Sequence, residues 1–432
     1  MSPGRRLGLY VHDRAGQRPG DPWHALDLRH HQTTKVVHVV SLGPDNYVVW
    51  SGDVIGLGDA GNLPDARGNV GCLPDLGLDE NVSLHHVVLH GRGCLGKATV
   101  AQEAAITVAD LGEFGLIAAI QALLPPDEDA VVGVGDDAAV LPAPDGRVVA
   151  STDLLIEGRH FRRDWSAPED IGVKAAAQNL ADIAAMGAVP TSLLFGLAIP
   201  GELAVAWVLG VTRGMVAECK RAGASIVGGD VTAADSVMLA ITALGDLAGR
   251  DPVTRAGAKP GDRIALSGPV GLSAAGLAVL TAGLAGEPPV DPVSLPGVDS
   301  LVTAHRRPRP DYAAGPQAAI DGATAMIDVS DGLVQDLGHV AAASGVCVDV
   351  RTASLPGTGP IKAAAAALGA DWLDWALAGG EDHALAASFP ENARIPQTWT
   401  VIGSVRSGSG VLVDSAPWLS AGGWDHFRKP GL

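Results

Sequence analysis

The spacing of apolar and polar residues changes near residue 106. After that point, apolar residues recur at helical spacing or in short runs bounded by glycine and proline, which predicts alternating helices and strands. Before it, only brief apolar runs such as residues 36–40 stand out, and these could pair as strands. We therefore predict an N-terminal extension over residues 1–105 and two folded domains over residues 106–250 and 251–432.

The pattern predicts an α/β chain, of the α+β kind, in which each domain carries its own helices and strands. Helices are predicted at residues 113–124, 171–186, 202–222, 272–282, 315–321 and 330–343. Strands are predicted at residues 131–134, 148–153, 191–199, 224–227, 237–247, 263–266 and 325–328. The last helix is expected to begin at Ser330, because Ser-Asp-Gly is typical of a helix N-cap.

The extension differs in composition from the rest of the chain. It holds 8 of the 13 histidines, is rich in glycine, proline and aspartate, and has no amphipathic helix. We expect it to be disordered or not translated, with a valine-coded start near Val100 or Val108. Its segment GRGCLGKA has Walker A spacing, but Ala98 replaces the hydroxyl residue that binds magnesium, which argues against a P-loop.

The overall composition excludes several classes of function. The chain has 30 Lys+Arg against 48 Asp+Glu, a net charge of −18 that argues against nucleic-acid binding. The uncharged stretch 264–286 is interrupted by Gly268, Pro269 and Gly271, so we expect no membrane span. Four cysteines without CxxC spacing and the absence of a signal-peptide pattern predict a cytoplasmic protein.

Aspartates follow several of the predicted strands and are the strongest chemical signal in the chain. They occur in GDDAA, STD, GGD and IDVSDG, and a further aspartate interrupts the apolar helix segment NLADIAAMGA. Each motif alone is equally compatible with turn or capping chemistry. Clustered carboxylates repel one another, however, and oxygen ligands are those that Mg²⁺ prefers. Together the motifs predict a magnesium-dependent phosphoryl-transfer enzyme.

The order of these motifs over residues 108–432 resembles one family. The segments are GDDAAVL, STDLLIEGRHF, NLADIAAMGA, GGD, TRAGAKPGD, IDVSDGL, GGED and GGWDHF. They resemble the thiamine-monophosphate kinase family, in the aminoimidazole ribonucleotide synthetase-like superfamily. The resemblance implies a two-domain fold whose N-domain strands form a barrel across a homodimer, with a C-terminal α/β domain. It also implies direct in-line transfer of the ATP γ-phosphoryl group to thiamine monophosphate, aided by several Mg²⁺ ions.

The same resemblance assigns roles by position. Magnesium ligands fall on Asp136, Ser151, Thr152, Asp153, Asp182, Asp230, Asp328 and Asp331. ATP contacts fall on Gly229, Asp230, Arg255 and Ser330, and contacts to thiamine monophosphate fall on His160, Glu381 and Trp424. Asp153, Asp182 and Arg255 are the expected catalytic residues. A phosphate nucleophile is already ionised near neutral pH, so the reaction needs no histidine or lysine base.

Two features leave alternatives open. After GGED, this chain has His383 and Ala384 where the family usually has Tyr and Glu, which puts fine substrate contacts in doubt. A non-catalytic nucleotide sensor is therefore one alternative. The other is a sister enzyme such as selenophosphate synthetase, for which Cys94 and Lys97 are the residues of interest.

Overall fold

The computed structural model describes residues 106–126, 130–134, 138–284, 297–418 and 423, together with four N-terminal strands. These strands are β1 (Lys35–Ser41), β2 (Asn46–Ser51), β3 (Val54–Asp59) and β4 (Leu84–Leu89). They pair antiparallel in the order β3-β2-β1-β4. The apolar patch 36–40 lies within β1, as expected. The expectation that residues 1–105 are disordered or not translated stays a prediction.

The chain divides into two compact units, Met1–Leu123 with Gly201–Ala206, and Leu124–Pro200 with Trp207–Leu432. The first unit includes α1 (Val108–Leu111) and α2 (Glu113–Gln121). The Val108 N–H donates to the carbonyl of Leu203 at 2.8 Å, which holds the start of α1 to the 201–206 segment. The predicted domain boundaries at residues 106 and 250 stay predictions.

The second unit begins with a four-stranded sheet and two long helices. Its elements are β5 (Val149–Ile156), α3 (Pro168–Ala185), β6 (Val189–Ile199), α4 (Val205–Ala222, from Trp207 onward), β7 (Ser225–Ala233) and β8 (Met238–Asp246). The strand order is β5-β8-β6-β7, with only the β6–β7 pair parallel. Nearly every residue of α3 is buried, which fits its run of small apolar side chains.

A seven-stranded sheet follows in the same unit. The elements are β9 (Arg263–Ser267), α5 (Leu272–Leu284), α6 (Val298–Arg306), α7 (Ala314–Ile320), β10 (Ala325–Val329), α8 (Leu333–Ser344), β11 (Cys347–Val350), a 3₁₀ turn (Thr352–Ser354), α9 (Thr358–Leu368), α10 (Trp372–Ala378), β12 (Ala384–Phe389), β13 (Trp399–Arg406), β14 (Gly410–Val413) and β15 (Ala416–Pro417). The order is β10-β12-β9-β13-β11-β14-β15. β9, β10 and β12 are buried along nearly their whole length, and α8 and α10 pack on the same hydrophobic core.

Most predicted elements are confirmed within a few residues, and the α/β class is confirmed. The segment 131–134 is an exception, because it forms isolated bridges, such as the one from Val132 to Val140, and no strand. Val131 and Val134 are largely exposed there, so the apolar run has no core to join. No helix among the described residues is long and apolar enough to cross a membrane.

Two boundary errors affect the site. The strand predicted at 224–227 continues as β7 to Ala233, so the GGD motif lies inside the strand and not at its end. The helix predicted from Ser330 begins instead at Leu333. Gly332 has a φ of 131°, a conformation that no helical residue adopts, so the Ser-Asp-Gly segment forms a turn before α8.

Candidate functional site

Alternation along β5 separates its three polar residues onto two faces. Ser151 and Asp153 share the partly buried face, whereas Thr152 is exposed on the other. The Ser151 hydroxyl donates a 2.6 Å hydrogen bond to the Asp182 carboxylate on α3. The Asp153 N–H donates to the side-chain oxygen of Asn179, also on α3, at 3.0 Å. Two contacts therefore fix β5 to α3 at the predicted metal residues.

Helix α3 presents a row of polar side chains on its buried surface. Lys174, Gln178 and Asp182 are four residues apart and so lie on one face. Lys174 and Gln178 are buried. Elements from the predicted C-terminal domain, β10 and β12 among them, pack against this helix. The row consequently lies where residues 106–250 and 251–432 meet.

Near the end of α3, the carboxylate of Asp182 lies close to two others, those of Asp153 and Asp328. Asp328 on β10 is buried, and its carboxylate is 3.3 Å from the Nδ1 atom of His383. Burial and the negative charges of Asp328 and Asp153 raise the pKa of Asp182 to about 7, although the Ser151 hydrogen bond opposes the shift. We call Asp153, Asp182 and Asp328, with Ser151 and His383, the acidic cluster.

His383 is a basic side chain that the described part of the chain places in this cluster. Its ring is buried, which alone would lower its pKa, but the hydrogen bond to Asp328 and the charges of Asp328 and Asp182 raise it overall. His383, where the family that the sequence resembles usually has Tyr, therefore contacts a buried carboxylate here. With one imidazole against three carboxylates, the cluster remains acidic.

The turn before β12 is held in an unusual backbone conformation. Glu381 and His383 have φ values of 64° and 53°, in the left-handed region that favours glycine. The Glu381 N–H donates to the Ser330 carbonyl at 2.7 Å, and the His383 N–H donates to the Val329 carbonyl at 2.9 Å. These bonds fix the GGED turn to the IDVSD turn, so both motifs are positioned together.

The start of α8 is already occupied by a side chain of the protein. The Asp336 carboxylate accepts from the N–H groups of Asp331 and Gly332, each at 3.1 Å. Burial and the nearby charge of Asp328 raise the pKa of Asp336 to about 7. A phosphate at these two N–H groups would have to compete with the Asp336 carboxylate for them.

A second polar group surrounds Lys174, in the middle of α3. The Lys174 ammonium donates to the Glu381 carboxylate and to the His160 carbonyl, both at 3.0 Å. His305 on α6 places its Nδ1 atom 3.5 Å from the same Glu381 oxygen. Burial and Lys174 lower the pKa of His305 to about 4, so this imidazole is neutral near pH 7. We call Lys174, Glu381 and His305 the lysine cluster.

The tautomer of His160 follows from its own turn. Its Nδ1 atom accepts from the Ile156 N–H at 3.0 Å. A neutral imidazole that accepts at Nδ1 carries its proton on Nε2, which is therefore a hydrogen-bond donor. This suits the predicted contact with an anionic substrate group.

Several residues with predicted roles lie apart from the acidic cluster. Thr152 turns its hydroxyl to the Ile241 carbonyl at 2.9 Å, on the other face of the sheet. Asp230 is exposed on β7, and strands β8 and β6 separate β7 from β5. At Gly229, a Cβ atom would collide with the Phe195 carbonyl, so packing between strands already explains this glycine.

Arg255 is exposed in the loop before β9, and its carbonyl accepts from the Ser344 hydroxyl at 3.1 Å. Ser344 ends α8, whereas Asp331 precedes the same helix, and 12 residues of helix span about 18 Å. The Arg255 backbone therefore lies well away from Asp331 along α8. Asp136 and Trp424 lie outside the described residues.

Among the residues that the structure describes, no three His, Cys, Asp or Glu side chains surround a single point closely enough to hold a metal ion. A Mg²⁺ ion at the acidic cluster would need oxygen atoms from another source. Substrate phosphates and water commonly complete magnesium coordination beside one or two carboxylates.

Known relatives match about three quarters of the chain. Thiamine-monophosphate kinase from Mycobacterium tuberculosis strain H37Rv is 44% identical over 326 residues, which cover 75% of this chain and 94% of that protein. The chain belongs to the thiamine-monophosphate kinase family. The kinase from Bacillus subtilis strain 168 is 33% identical, with 74% of this chain and all of that protein covered.

Solved structures agree with membership of the thiamine-monophosphate kinase family. The structure described as AaThiL complexed with AMPPCP and TMP has a TM-score of 0.60 at 32% identity and covers 74% of this chain and 98% of that chain. The kinase from Stenotrophomonas maltophilia K279a has a TM-score of 0.59 at 32% identity, covering 70% and 96%. The family model for AIR synthase related protein, N-terminal domain, matches residues 135–247.

In this member of the thiamine-monophosphate kinase family, the sequence predicted Glu381 of the lysine cluster as a substrate contact but did not indicate Lys174 or His305. Lys174 is the single charged residue between Asp170 and Asp182 in the sequence of α3. A lone buried charge needs a partner, and that is the signal that could have identified it. Nothing in the local sequence indicates that the partner is Glu381, 207 residues away.

Proposed function

We propose that this chain transfers the γ-phosphoryl group of ATP to thiamine monophosphate in a direct, in-line, magnesium-dependent reaction that yields thiamine diphosphate. The observation that carries the proposal is the acidic cluster, in a chain that belongs to the kinase family. Three carboxylates share a partly buried site with one histidine, and that excess of negative charge requires cations.

The residues present fit Mg²⁺. Asp153, Asp182, Asp328 and the Ser151 hydroxyl offer only oxygen atoms, the donors that hard divalent cations prefer. Bound Mg²⁺ supplies charge neutralisation to phosphate oxygens. The roles of Asp136, Thr152, Asp230 and Asp331 as further ligands rest on the family resemblance alone.

The protein's own residues orient the reactants. Ser151 and Asn179 hold the carboxylate of Asp182 and the backbone of Asp153 in place through hydrogen bonds. Positioning and electrostatic stabilisation are the main contributions that proteins make to phosphoryl transfer. The acceptor phosphate is already ionised near pH 7, with a second pKa of about 6, so no side chain needs to remove a proton.

The acceptor end of the proposed site combines a donor with an anion. His160 can donate from Nε2 to the phosphate of thiamine monophosphate. Burial raises the pKa of Glu381, but the nearby Lys174 ammonium outweighs burial and holds that pKa below its ordinary value. The resulting carboxylate suits the cationic thiazolium ring. Trp424 as a ring contact, and Gly229, Asp230, Arg255 and Ser330 as ATP contacts, remain proposals from the family resemblance.

We infer a homodimer from the sheet β5-β8-β6-β7. Its outer face leaves large apolar side chains in solvent, with Leu154 49% exposed and Leu194 37% exposed. A second copy of the chain would cover these residues, as the barrel of the family resemblance implies. Light scattering on the full chain gives the mass in solution, and a monomer at micromolar concentration would contradict this inference.

The reaction is tested by measuring thiamine diphosphate formed from ATP and thiamine monophosphate by the full chain. We expect product only when Mg²⁺ is present, and none after chelation. Unphosphorylated thiamine is the control acceptor, because it lacks the phosphate nucleophile. ATP binding without any thiamine diphosphate would contradict the assignment of substrate and favour a sensor. Selenide-dependent ATP cleavage would favour the sister reaction.

A further inference from the structure

Lys174 has a position that few lysines occupy. It is 2% exposed, on a helix whose neighbouring residues are almost all buried. A buried ammonium group is unstable without partners that compensate its charge and donors. Lys174 finds two of them, the His160 carbonyl and the Glu381 carboxylate, each at 3.0 Å. Its side chain thus joins the turn after β5 to the GGED turn before β12.

The His160 side of this connection is fixed by the local backbone. The His160 N–H donates to the Ile156 carbonyl at 3.0 Å, and the Gly158 N–H donates to the Phe161 carbonyl at 2.8 Å. The Ile156 N–H in turn donates to the His160 ring. The carbonyl that Lys174 binds therefore belongs to a closed turn, which gives the ammonium group a stable anchor.

The Glu381 side depends more on its surroundings. Glu381 has a φ of 64°, a conformation in which a residue with a side chain persists only when neighbouring contacts hold it. One carboxylate oxygen, Oε2, lies against both Lys174 and His305. The side chain nevertheless remains 31% exposed, so a ligand can reach it.

The neighbouring Ser273 and His305 do not provide an alternative chemical role for this cluster. The Ser273 hydroxyl is 3.1 Å from Nδ1 of His305, and the Glu381 carboxylate approaches the same nitrogen. A catalytic triad uses the two ring nitrogens for two different partners. The geometry therefore supports charge pairing and orientation, not nucleophilic catalysis.

We propose that Lys174 is a positioning residue for the acceptor substrate, which holds Glu381 in the orientation that receives the cationic ring of thiamine monophosphate. This inference rests on the proposed function, since it takes Glu381 as an acceptor contact. Lys174 acts through Glu381 and itself touches no reacting atom. Its effect should therefore concern the acceptor and leave the nucleotide nearly untouched.

The test is a double-mutant cycle with Lys174→Met, Glu381→Gln and the double variant. We expect Lys174→Met to weaken calorimetric binding of thiamine monophosphate, and to raise its KM, by about tenfold to a hundredfold. The KM for ATP should change by less than about threefold. In the Glu381→Gln background, Lys174→Met should add almost nothing. Lys362→Met makes the same change on the exposed surface of α9 and should match the wild type.

Two results would overturn the proposal. One is a Lys174→Met protein that is folded and binds thiamine monophosphate as the wild type does. The other is a full additional loss in the double variant relative to Glu381→Gln, since that means that Lys174 acts independently of Glu381. The comparison of the double variant with Glu381→Gln remains possible even if Lys174→Met alone does not fold. The double variant lacks both charges, so it leaves neither of them buried without its partner.

The experiment also separates this proposal from the proposed function. If the wild type makes thiamine diphosphate and only the predicted effect of Lys174 is absent, the kinase assignment stands and the positioning role fails. If the wild type neither binds nor phosphorylates thiamine monophosphate, both fail together.

Discussion

The acidic cluster and the lysine cluster lie along one face of α3, yet they balance charge differently. In the lysine cluster, Lys174 pairs with Glu381 at 3.0 Å, while burial keeps His305 neutral. In the acidic cluster as the structure describes it, three carboxylates lie with a single imidazole, that of His383. The first cluster is complete within the chain, whereas the second needs positive charge from elsewhere.

This difference separates two uses of buried charge. A pair that is balanced within the protein fixes geometry, and it is present whether or not a ligand is bound. A group of repelling carboxylates destabilises the protein until a cation arrives, and so makes the site responsive to metal and nucleotide. If the lysine cluster is balanced in charge and the acidic cluster is not, substitutions in the two clusters should have opposite effects on stability and different effects on turnover.

The largest expected effect is on turnover in the acidic cluster. Asp182→Asn removes a carboxylate that interacts with both Asp153 and Asp328, while its side-chain oxygen can still accept from Ser151. We expect thiamine diphosphate formation to fall by at least about a hundredfold, as is usual when a group that stabilises transition-state charge is lost. The far-ultraviolet circular dichroism spectrum should not change. Steady-state rates at saturating Mg²⁺ and ATP provide the measurement.

Asp299→Asn is the matched control, because Asp299 is exposed on α6. It should retain the rate of the wild type. Full turnover by Asp182→Asn would mean that the reaction does not need the acidic cluster. The two clusters would then not differ in function as we propose.

The next effect is on stability, where the two clusters should differ in sign. In metal-free protein at pH 8, Asp182→Asn should raise the melting temperature, because it relieves repulsion among carboxylates. Glu381→Gln should lower it, at a cost of about 2 kcal/mol, because Lys174 stays buried without its anion. Scanning calorimetry with chelator present compares both variants with the wild type.

Added Mg²⁺ sharpens this test, since it should stabilise the wild type more than Asp182→Asn and act equally on Glu381→Gln and the wild type. If both substitutions shifted the melting temperature in the same direction, the charge balance assigned to the two clusters would be wrong.

Much of the fold on which these clusters are built was predictable. The helix at 171–186 and the strands at 191–199, 237–247 and 325–328 follow from apolar periodicity, and the structure confirms them. Elements after residue 344 were not predicted, and the short strand β11 and helix α10 gain their stability from the core that they join. Residue patterns record local preference, whereas these elements depend on distant partners.

The site shows the same limit. Motifs identified Ser151, Asp153, Asp182 and Asp328 because aspartate at strand and helix ends is a local signal, and the structure brings these residues together. The Lys174–Glu381 pair was missed, because its partners are separated by 207 residues. Spacing in the sequence does not show which distant residues pair, nor which face of β5 packs against α3. Both depend on the assembled fold.

The smallest expected effect is a change in the acid sensitivity of the lysine cluster. The pKa of His305 is lowered from 6.5 to about 4 by burial and by Lys174, with Arg306 adding to this and Glu381 opposing it. The unfolded chain therefore binds this proton more readily between pH 6.5 and 4, and stability is lost as the pH falls through that range. His305→Asn should make the decline of stability with falling pH shallower, by at most about 1.4 kcal/mol per pH unit.

Urea unfolding at several pH values measures this slope, and His339→Asn, at an exposed position on α8, should leave the slope unchanged. An unchanged slope in His305→Asn would mean that the lysine cluster admits a proton at His305, and its charge balance would then not be fixed by Lys174 and Glu381 alone.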